Sequence, residues 1–240
     1  NRMLILLQHH TTGPFADHGK QSLAAVQVWE AKINAEGGLL GRPVQIVHID
    51  NKSDPNTAVS AFRKFIAEGR DITFGTYAAP IVEQESTVAE QERRLYVQSG
   101  GYPLALFGRG YKYLFFASRG TSVDLPGPIL SFIDALPAEQ KPRKISSAAV
   151  DSIAFQDLEK HLGPGLKQRA TDYSNENYPL GIRDAQPIVQ KWKAASPDAV
   201  LVHGYAPDTV LFVRAIRLAG LKPKLLIITP TAASLETFPR

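Results

Sequence analysis

Near its start the chain carries an unbroken apolar run, RMLILLQ (residues 2–8), with no alternation of polar positions. A strand buried on both faces, as in a parallel sheet covered by helices, has this texture. Residues 17–35 switch to a period near 3.6. Leu23, Val26, Trp29 and Ile33 fall on one stripe, Asp17 is placed to cap the start, and the glycines of EGGLLGRP close the helix. The strand PVQIVHID leads to SDPNTAVSAFRKFIAEG, a helix with Asp54 as cap, Pro55 in its first turn and Val59, Phe62, Phe65 and Ile66 on its apolar face. DITFG, IVEQESTVAEQERR and LYVQS then read as strand, helix and strand. Such alternation predicts a doubly wound α/β lobe.

Around residues 111–127 the pattern breaks. YKYLFFASRGTSVDLPGP holds one strand followed by turn residues and prolines, and it marks the crossing from a first lobe, 1–119, to a second, 120–240. Alternation resumes with strand KISSAAV, a helix at 152–162, a weaker segment at 169–175, a helix at 184–195, strand DAVLVHG, a helix at 207–219 and strand KLLIIT. Val210, Val213 and Ile216, with Leu211, Ala215 and Leu218, recur at helical spacing in the last helix. The expected fold class is α/β: two doubly wound, Rossmann-like lobes with a ligand cleft between them. Ligands of open α/β sheets bind beyond the carboxyl ends of the strands. The loops so placed are 8–18, 50–54, 76–81, 98–103, 150–156, 203–207 and 229–233.

Composition narrows the function classes. The net charge of +4 comes from 27 basic and 23 acidic residues spread without a long basic run, so no nucleic-acid partner is expected. The chain has no cysteine, which excludes disulfides, thiolate zinc sites and cysteine nucleophiles. No apolar run approaches the roughly 18 residues of a membrane span, so direct membrane insertion is not expected. No signal-peptide pattern is present; the expectation is a cytoplasmic protein or a chain that begins after processing.

The first loop, LLQHHTTGPFADHGK, concentrates His9, His10 and His18. Adjacent histidines at a strand end point in opposite directions, a poor chelating pair, and H-E-x-x-H is absent. His10 and His18 with Asp17 or Asp50 remain a metal alternative, and polar residues solvating a turn are another. Pocket lining is favoured, because a histidine both donates and accepts near neutral pH. G-x-S-x-G and the phosphate-binding G-x-x-x-x-G-K-[ST] are missing, and GRGYKY lacks the last glycine of G-x-G-x-x-G. Neither catalytic residues nor a cofactor is expected.

Read in order, these residues resemble the branched-chain amino-acid family of periplasmic solute-binding proteins, of type I fold. The resemblance is carried by TGPFADHGKQSLAAVQVWEAKINAEGGLLGRPVQIVHIDNKSDPNTAV, by Gly75, by GRGYKYLF and by SPDAVLVHGYAPDTVLFVRAIRLAGLK. It implies a non-enzymatic, periplasmic receptor that closes on a small molecule and passes it to the membrane permease of an ABC transporter. The alternative is a ligand-sensing domain of the same fold in a regulator or receptor. Family chains continue beyond SLETFPR, so the expectation is a C-terminally incomplete fold.

The ligand positions implied are His10, Thr12, His18, Tyr77, Ala78, Ala79, Gly100, Gly101, Tyr102, Phe155, Tyr205 and Thr231. In the family, small hydroxylated residues hold the ligand's carboxylate and ammonium, and an acidic residue holds the ammonium from the second lobe. Here Ala79 stands where a serine is usual, Tyr102 where a threonine is usual, and Thr231 where the acid is usual. A buried ammonium without a carboxylate partner costs several kcal/mol, so the substitutions predict rejection of α-amino acids. Tyr77, Tyr102, Phe155 and Tyr205, with His10 and His18, suit a flat or aromatic carboxylic acid instead.

Overall fold

The computed structural model describes residues 2–69, 72–100, 103–117 and 120–229. The chain divides into two compact units, Asn1–Arg119 and Gly120–Arg240. In the first, β1 (Met3–His9), α1 (Ala16–Ala35), β2 (Val44–Asp50), α2 (Pro55–Ala67), β3 (Ile72–Gly75), α3 (Ala79–Glu92), β4 (Tyr96–Gln98), α4 (Leu104–Phe107) and β5 (Leu114–Phe116) follow in order. The strands form a parallel sheet ordered β2-β1-β3-β4-β5. β1 pairs with β2 from Met3 with Val44 to His9 with Asp50, so the ends of these two strands lie side by side.

The main core of this unit gathers Leu6, Phe62, Phe65, Val82, Val88, Tyr96 and Leu106. The helical stripe read from α2 is the stripe that is buried: Phe62 and Phe65 lie inside and Val59 and Ile66 pack against them. Asp54 caps α2 as expected, accepting the Thr57 backbone N–H at 2.7 Å. α1 departs from expectation. It begins at Ala16 with Phe15 in the cap position, and Asp17 lies in the first turn. Gly19 is its only buried residue, while Trp29 is 39% exposed. The close contact of α1 is therefore at its start, where a Cβ on residue 19 would sit 1.9 Å from the His10 carbonyl oxygen.

The second unit holds α5 (Pro126–Ala135), β6 (Lys144–Val150), α6 (Ile153–Arg169), β7 (Asp172–Tyr178), α7 (Gln186–Ala195), β8 (Ala199–His203), α8 (Ala206–Leu218) and β9 (Leu225–Ile228). Its parallel sheet runs β7-β6-β8-β9. Sequence pattern misses α5, because the prolines of LPGP read as a break; Pro126 instead occupies the first turn, where no N–H is needed. α6 also outruns its predicted end at 162 and continues through Pro164 to Arg169. The Gly163-Pro164-Gly165 run is a contact rather than a stop, since a Cβ at 165 would lie 2.5 Å from Leu130 Cδ1 on α5.

β7 is weak as a sequence signal because it is polar. Its residues bond sideways instead: Ser147 Oγ donates to Asn175 Oδ1 at 2.8 Å, and Tyr173 donates to Glu159 Oε1 at 2.5 Å. On α8 the buried face is Asp208, Thr209, Phe212, Ala215 and Ile216. Leu218, assigned to the apolar stripe, is 80% exposed.

Candidate functional site

In the first unit three neighbouring strands are followed by buried polar residues that hydrogen-bond to one another. β1 is followed by His10, β2 by Asn51 and β3 by Thr76, all wholly buried. His10 Nδ1 lies 2.6 Å from Asn51 Oδ1, His10 Nε2 lies 3.0 Å from Thr76 Oγ1, and Asn51 Nδ2 donates to Thr76 Oγ1 at 3.3 Å. Burial pushes His10 down to about 4, against the pull of its Asn51 hydrogen bond and of the Asp50 charge, so the ring is neutral near pH 7.

Asp50, the last residue of β2, builds the rim. Its carboxylate accepts the backbone N–H groups of Thr11 (3.0 Å) and Lys52 (2.9 Å) and the Thr12 hydroxyl (2.7 Å). Desolvation works against its charge, but these donors win and hold it at about 2. Gly13 then turns the loop at φ 83°, a left-handed conformation, with no room for a Cβ beside the Lys52 carbonyl at 2.7 Å.

Three further rings gather around His10. His18, in the first turn of α1, lies flat on Tyr77, with centroids 4.5 Å apart and planes 7° apart. Phe15 meets Tyr77 edge-on at 6.3 Å, and His10 meets Phe15 at 5.3 Å and Tyr77 at 6.3 Å, also edge-on. His18 and Tyr77 are half-buried, unlike His10. Burial lowers the His18 imidazole, opposed by Asp17, which leaves it neutral at neutral pH. Beside Tyr77, α3 starts with Ala78 as cap, no side-chain hydrogen bond at the cap, and a proline in its first turn. Ala78 has no side-chain group to cap this positive dipole end. Ala78 and Ala79 are buried and offer no hydroxyl. Gly100 packs so closely that a Cβ would stand 2.5 Å from the Tyr77 Cα.

The second unit has its own cluster at the ends of β6 and β8. Phe155, at the start of α6, meets Tyr205 edge-on at 5.4 Å. Tyr205 N–H donates to Asp208 Oδ2 at 3.2 Å, and Tyr178 donates to the His203 carbonyl at 3.2 Å. Burial raises Asp208 to about 6, opposed by that N–H. Both ring nitrogens of His203 are buried without a hydrogen-bond partner among the described residues.

Of the sequence-predicted positions, the structure gathers His10, Thr12, His18, Tyr77, Ala78, Ala79 and Gly100 in the first unit, and it pairs Phe155 with Tyr205 in the second. Gly101, Tyr102 and Thr231 lie outside the described residues. His10, expected to face the ligand, is enclosed and has both ring nitrogens engaged within the protein. His9 is enclosed as well, pushed down to about 3 by burial and by His10 and His48. Sequence reasoning passed over Phe15, weighed Asp50 only as a metal ligand beside His10 and His18, and passed over Asn51 and Thr76. The only signal for the last three was their place in loops that follow strands. Among the described residues no group of three or more His, Cys, Asp or Glu is placed to hold a metal ion, and no helix is long and apolar enough to cross a membrane.

Comparisons with known proteins complete the picture. A sequence model described as periplasmic binding protein matches residues 7–237. The Leu/Ile/Val-binding protein of Escherichia coli K12 is 27% identical over 217 residues, covering 90% of this chain and 58% of that protein. The chain therefore spans less than two thirds of this relative. Among solved structures, a leucine-binding protein from Thermotoga maritima superimposes with a TM-score of 0.86 at 16% identity, covering 98% of this chain and 65% of that one. A solute-binding protein of an ABC transporter from Rhodopseudomonas palustris BisB5, in complex with 3,4-dihydroxybenzoic acid, gives 0.79 at 17%, covering 96% and 62%. The α/β fold with parallel sheets and the match over nearly the whole length agree: the chain belongs to the branched-chain amino-acid family of type I periplasmic binding proteins.

Proposed function

We propose that this chain is the ligand-binding part of a periplasmic receptor that captures a small organic acid with a planar body and hands it to an ABC-transporter permease, without chemical turnover. The observation that carries the reading is the His18–Tyr77 stack beside the start of α3, where the cap residue is Ala78. Stacked rings present a flat apolar face, which rewards a planar group and gives a branched aliphatic chain little beyond burial. The dipole at the α3 N-terminus and the neutral His18 imidazole provide attraction and a hydrogen bond for a carboxylate. What is missing points the same way. Ala79 supplies no hydroxyl for the polar end of an α-amino acid, and a buried ammonium left without a partner costs several kcal/mol.

The Rhodopseudomonas palustris structure holds 3,4-dihydroxybenzoic acid in this fold, so an aromatic acid is compatible with the architecture. Isothermal calorimetry of the purified chain against 3,4-dihydroxybenzoate, benzoate, leucine and isoleucine tests the proposal. Micromolar or tighter binding of an aromatic acid with leucine at least a hundredfold weaker is expected. Leucine binding tighter than every aromatic acid would overturn it.

A further inference from the structure

His10, one of two buried histidines in the first unit, is wired more specifically than a ligand contact needs. Asn51 Oδ1 accepts the Ser53 backbone N–H at 3.1 Å, which fixes the orientation of the amide. The atom facing His10 Nδ1 at 2.6 Å is therefore an oxygen that only accepts, so Nδ1 carries the proton. In the neutral ring Nε2 is then the acceptor, and the Thr76 hydroxyl 3.0 Å away donates to it. That hydroxyl oxygen in turn accepts Asn51 Nδ2–H at 3.3 Å. Donors and acceptors close into a circuit that ties the ends of β1, β2 and β3, and each member polarises the next.

We propose that His10 is a positioning residue: held as the neutral, Nδ1-protonated tautomer by Asn51 and Thr76, it props the Phe15 and Tyr77 rings so that Tyr77 meets His18 face to face, and it fixes the solute platform without touching the solute. The proposal rests on reading that platform as the solute site. Its geometry is the pair of edge-on contacts from His10, to Phe15 at 5.3 Å and 65° and to Tyr77 at 6.3 Å and 74°. Thr76 immediately precedes Tyr77, so the circuit and the platform share a backbone segment. A second proton on His10 would turn Nε2 into a donor aimed at an oxygen that already receives Asn51 Nδ2–H. Thr76 would then have to swing its own hydrogen away and accept from both nitrogens, leaving that hydrogen to find a new partner. The charged or titratable groups around His10 are Asp50 at the end of β2, which favours that proton, and His18 on α1 and His9 on β1, which oppose it together with burial.

The test begins without any solute. Nitrogen-15 NMR of the ligand-free protein reads the His10 tautomer, and the ring-current shift of His18 reads its stacking on Tyr77. The expected result is an Nδ1-protonated His10, unchanged between pH 8 and pH 5.5. Thr76→Ser keeps the hydroxyl and both signatures; Thr76→Val leaves the proton on Nδ1 facing Asn51 Oδ1 but loses the His18 stacking shift. An Nε2-protonated His10 in the parent protein, or an undiminished His18 shift in Thr76→Val, overturns the proposal. The parent tautomer decides the question even if Thr76→Val does not fold. With 3,4-dihydroxybenzoate as probe, Thr76→Val should bind at least tenfold more weakly than Thr76→Ser; equal affinities overturn the positioning role. Failure of the parent protein to bind any aromatic acid counts against the proposed function, while the tautomer and ring shift still decide the role of His10.

Discussion

The imidazole of His18 lies 4.5 Å from the ring of Tyr77 with only 7° between their planes. Aromatic contacts of this kind are worth about 0.5–1.5 kcal/mol beyond the area they bury. Tyr77→Ala should therefore weaken binding of 3,4-dihydroxybenzoate by about tenfold or more, while Tyr77→Phe, which keeps the ring, stays within about threefold of the parent. Calorimetry reads both, and equal losses in the two variants would show that the ring face is not the recognition element.

Glu85 is wholly buried on α3, where the Tyr96 hydroxyl donates to Oε2 at 2.5 Å and Oε1 has no partner among the described residues. Desolvation raises its carboxyl from 4.5 to about 8, although the Tyr96 hydrogen bond pulls it down. A carboxyl that holds its proton more tightly when folded stabilises the protein fully below the unfolded value. That stabilisation is lost as pH rises through the folded value, so it declines from about pH 4.5 to about pH 8. Glu85→Gln should flatten this part of the stability profile, a difference on the order of 3 kcal/mol between its ends. Urea midpoints at pH 5 and pH 8 measure it, and a variant with the parent's slope contradicts the assignment.

His203 tips the profile the other way in the second unit. Desolvation lowers its imidazole from 6.5 to about 4, so its contribution is present above pH 6.5 and is lost as pH falls through about 4. Replacing it with leucine removes a titrating group whose nitrogens have no partner among the described residues. His203→Leu is expected to move the acid-unfolding midpoint at least half a pH unit lower. Trp192, buried and stacked on Phe212 in the same unit, supplies the fluorescence readout.

Two glycines form a controlled pair for packing. A methyl group at Gly19 would sit 1.9 Å from the His10 carbonyl oxygen, a backbone atom that cannot step aside, and Gly19→Ala should cost about 3 kcal/mol or more. Gly127, in the first turn of α5, has nothing within 4 Å of where a methyl group would stand, and Gly127→Ala should be neutral or stabilising by up to about 1 kcal/mol. Thermal unfolding of the two variants separates them, and similar melting temperatures would refute the close approach of α1 to the end of β1.

Much of this architecture was legible in the residues because burial on both faces leaves unmistakable runs. MLILLQ and AVLVH became the central strands β1 and β8, and the Val59–Phe62–Phe65–Ile66 stripe became the packed face of α2. Punctuation was misread where a glycine or proline had a tertiary reason. Gly165 makes room for Leu130, and Pro126 begins a helix. The polar DYSNENY hid β7, since its side chains are satisfied by the neighbouring Ser147 and Glu159, which pattern cannot foresee. Loop position picked out residues that the structure gathers at the strand ends, but the division of labour among them was hidden. Whether a histidine faces outward or closes a circuit depends on partners 41 and 66 residues away, and spacing carries no record of them.

The carboxylate of Asp50 has one more consequence. Thr11, Thr12 and Lys52 are already tied to it, and its charge persists down to about pH 2. On the proposed reading, a solute arriving at this rim would meet a loop already tied in place, so the entropy of shaping it would be spent during folding rather than at capture. Association at this end would then be governed by diffusion and encounter, and the lifetime of the complex would carry the discrimination between one solute and another.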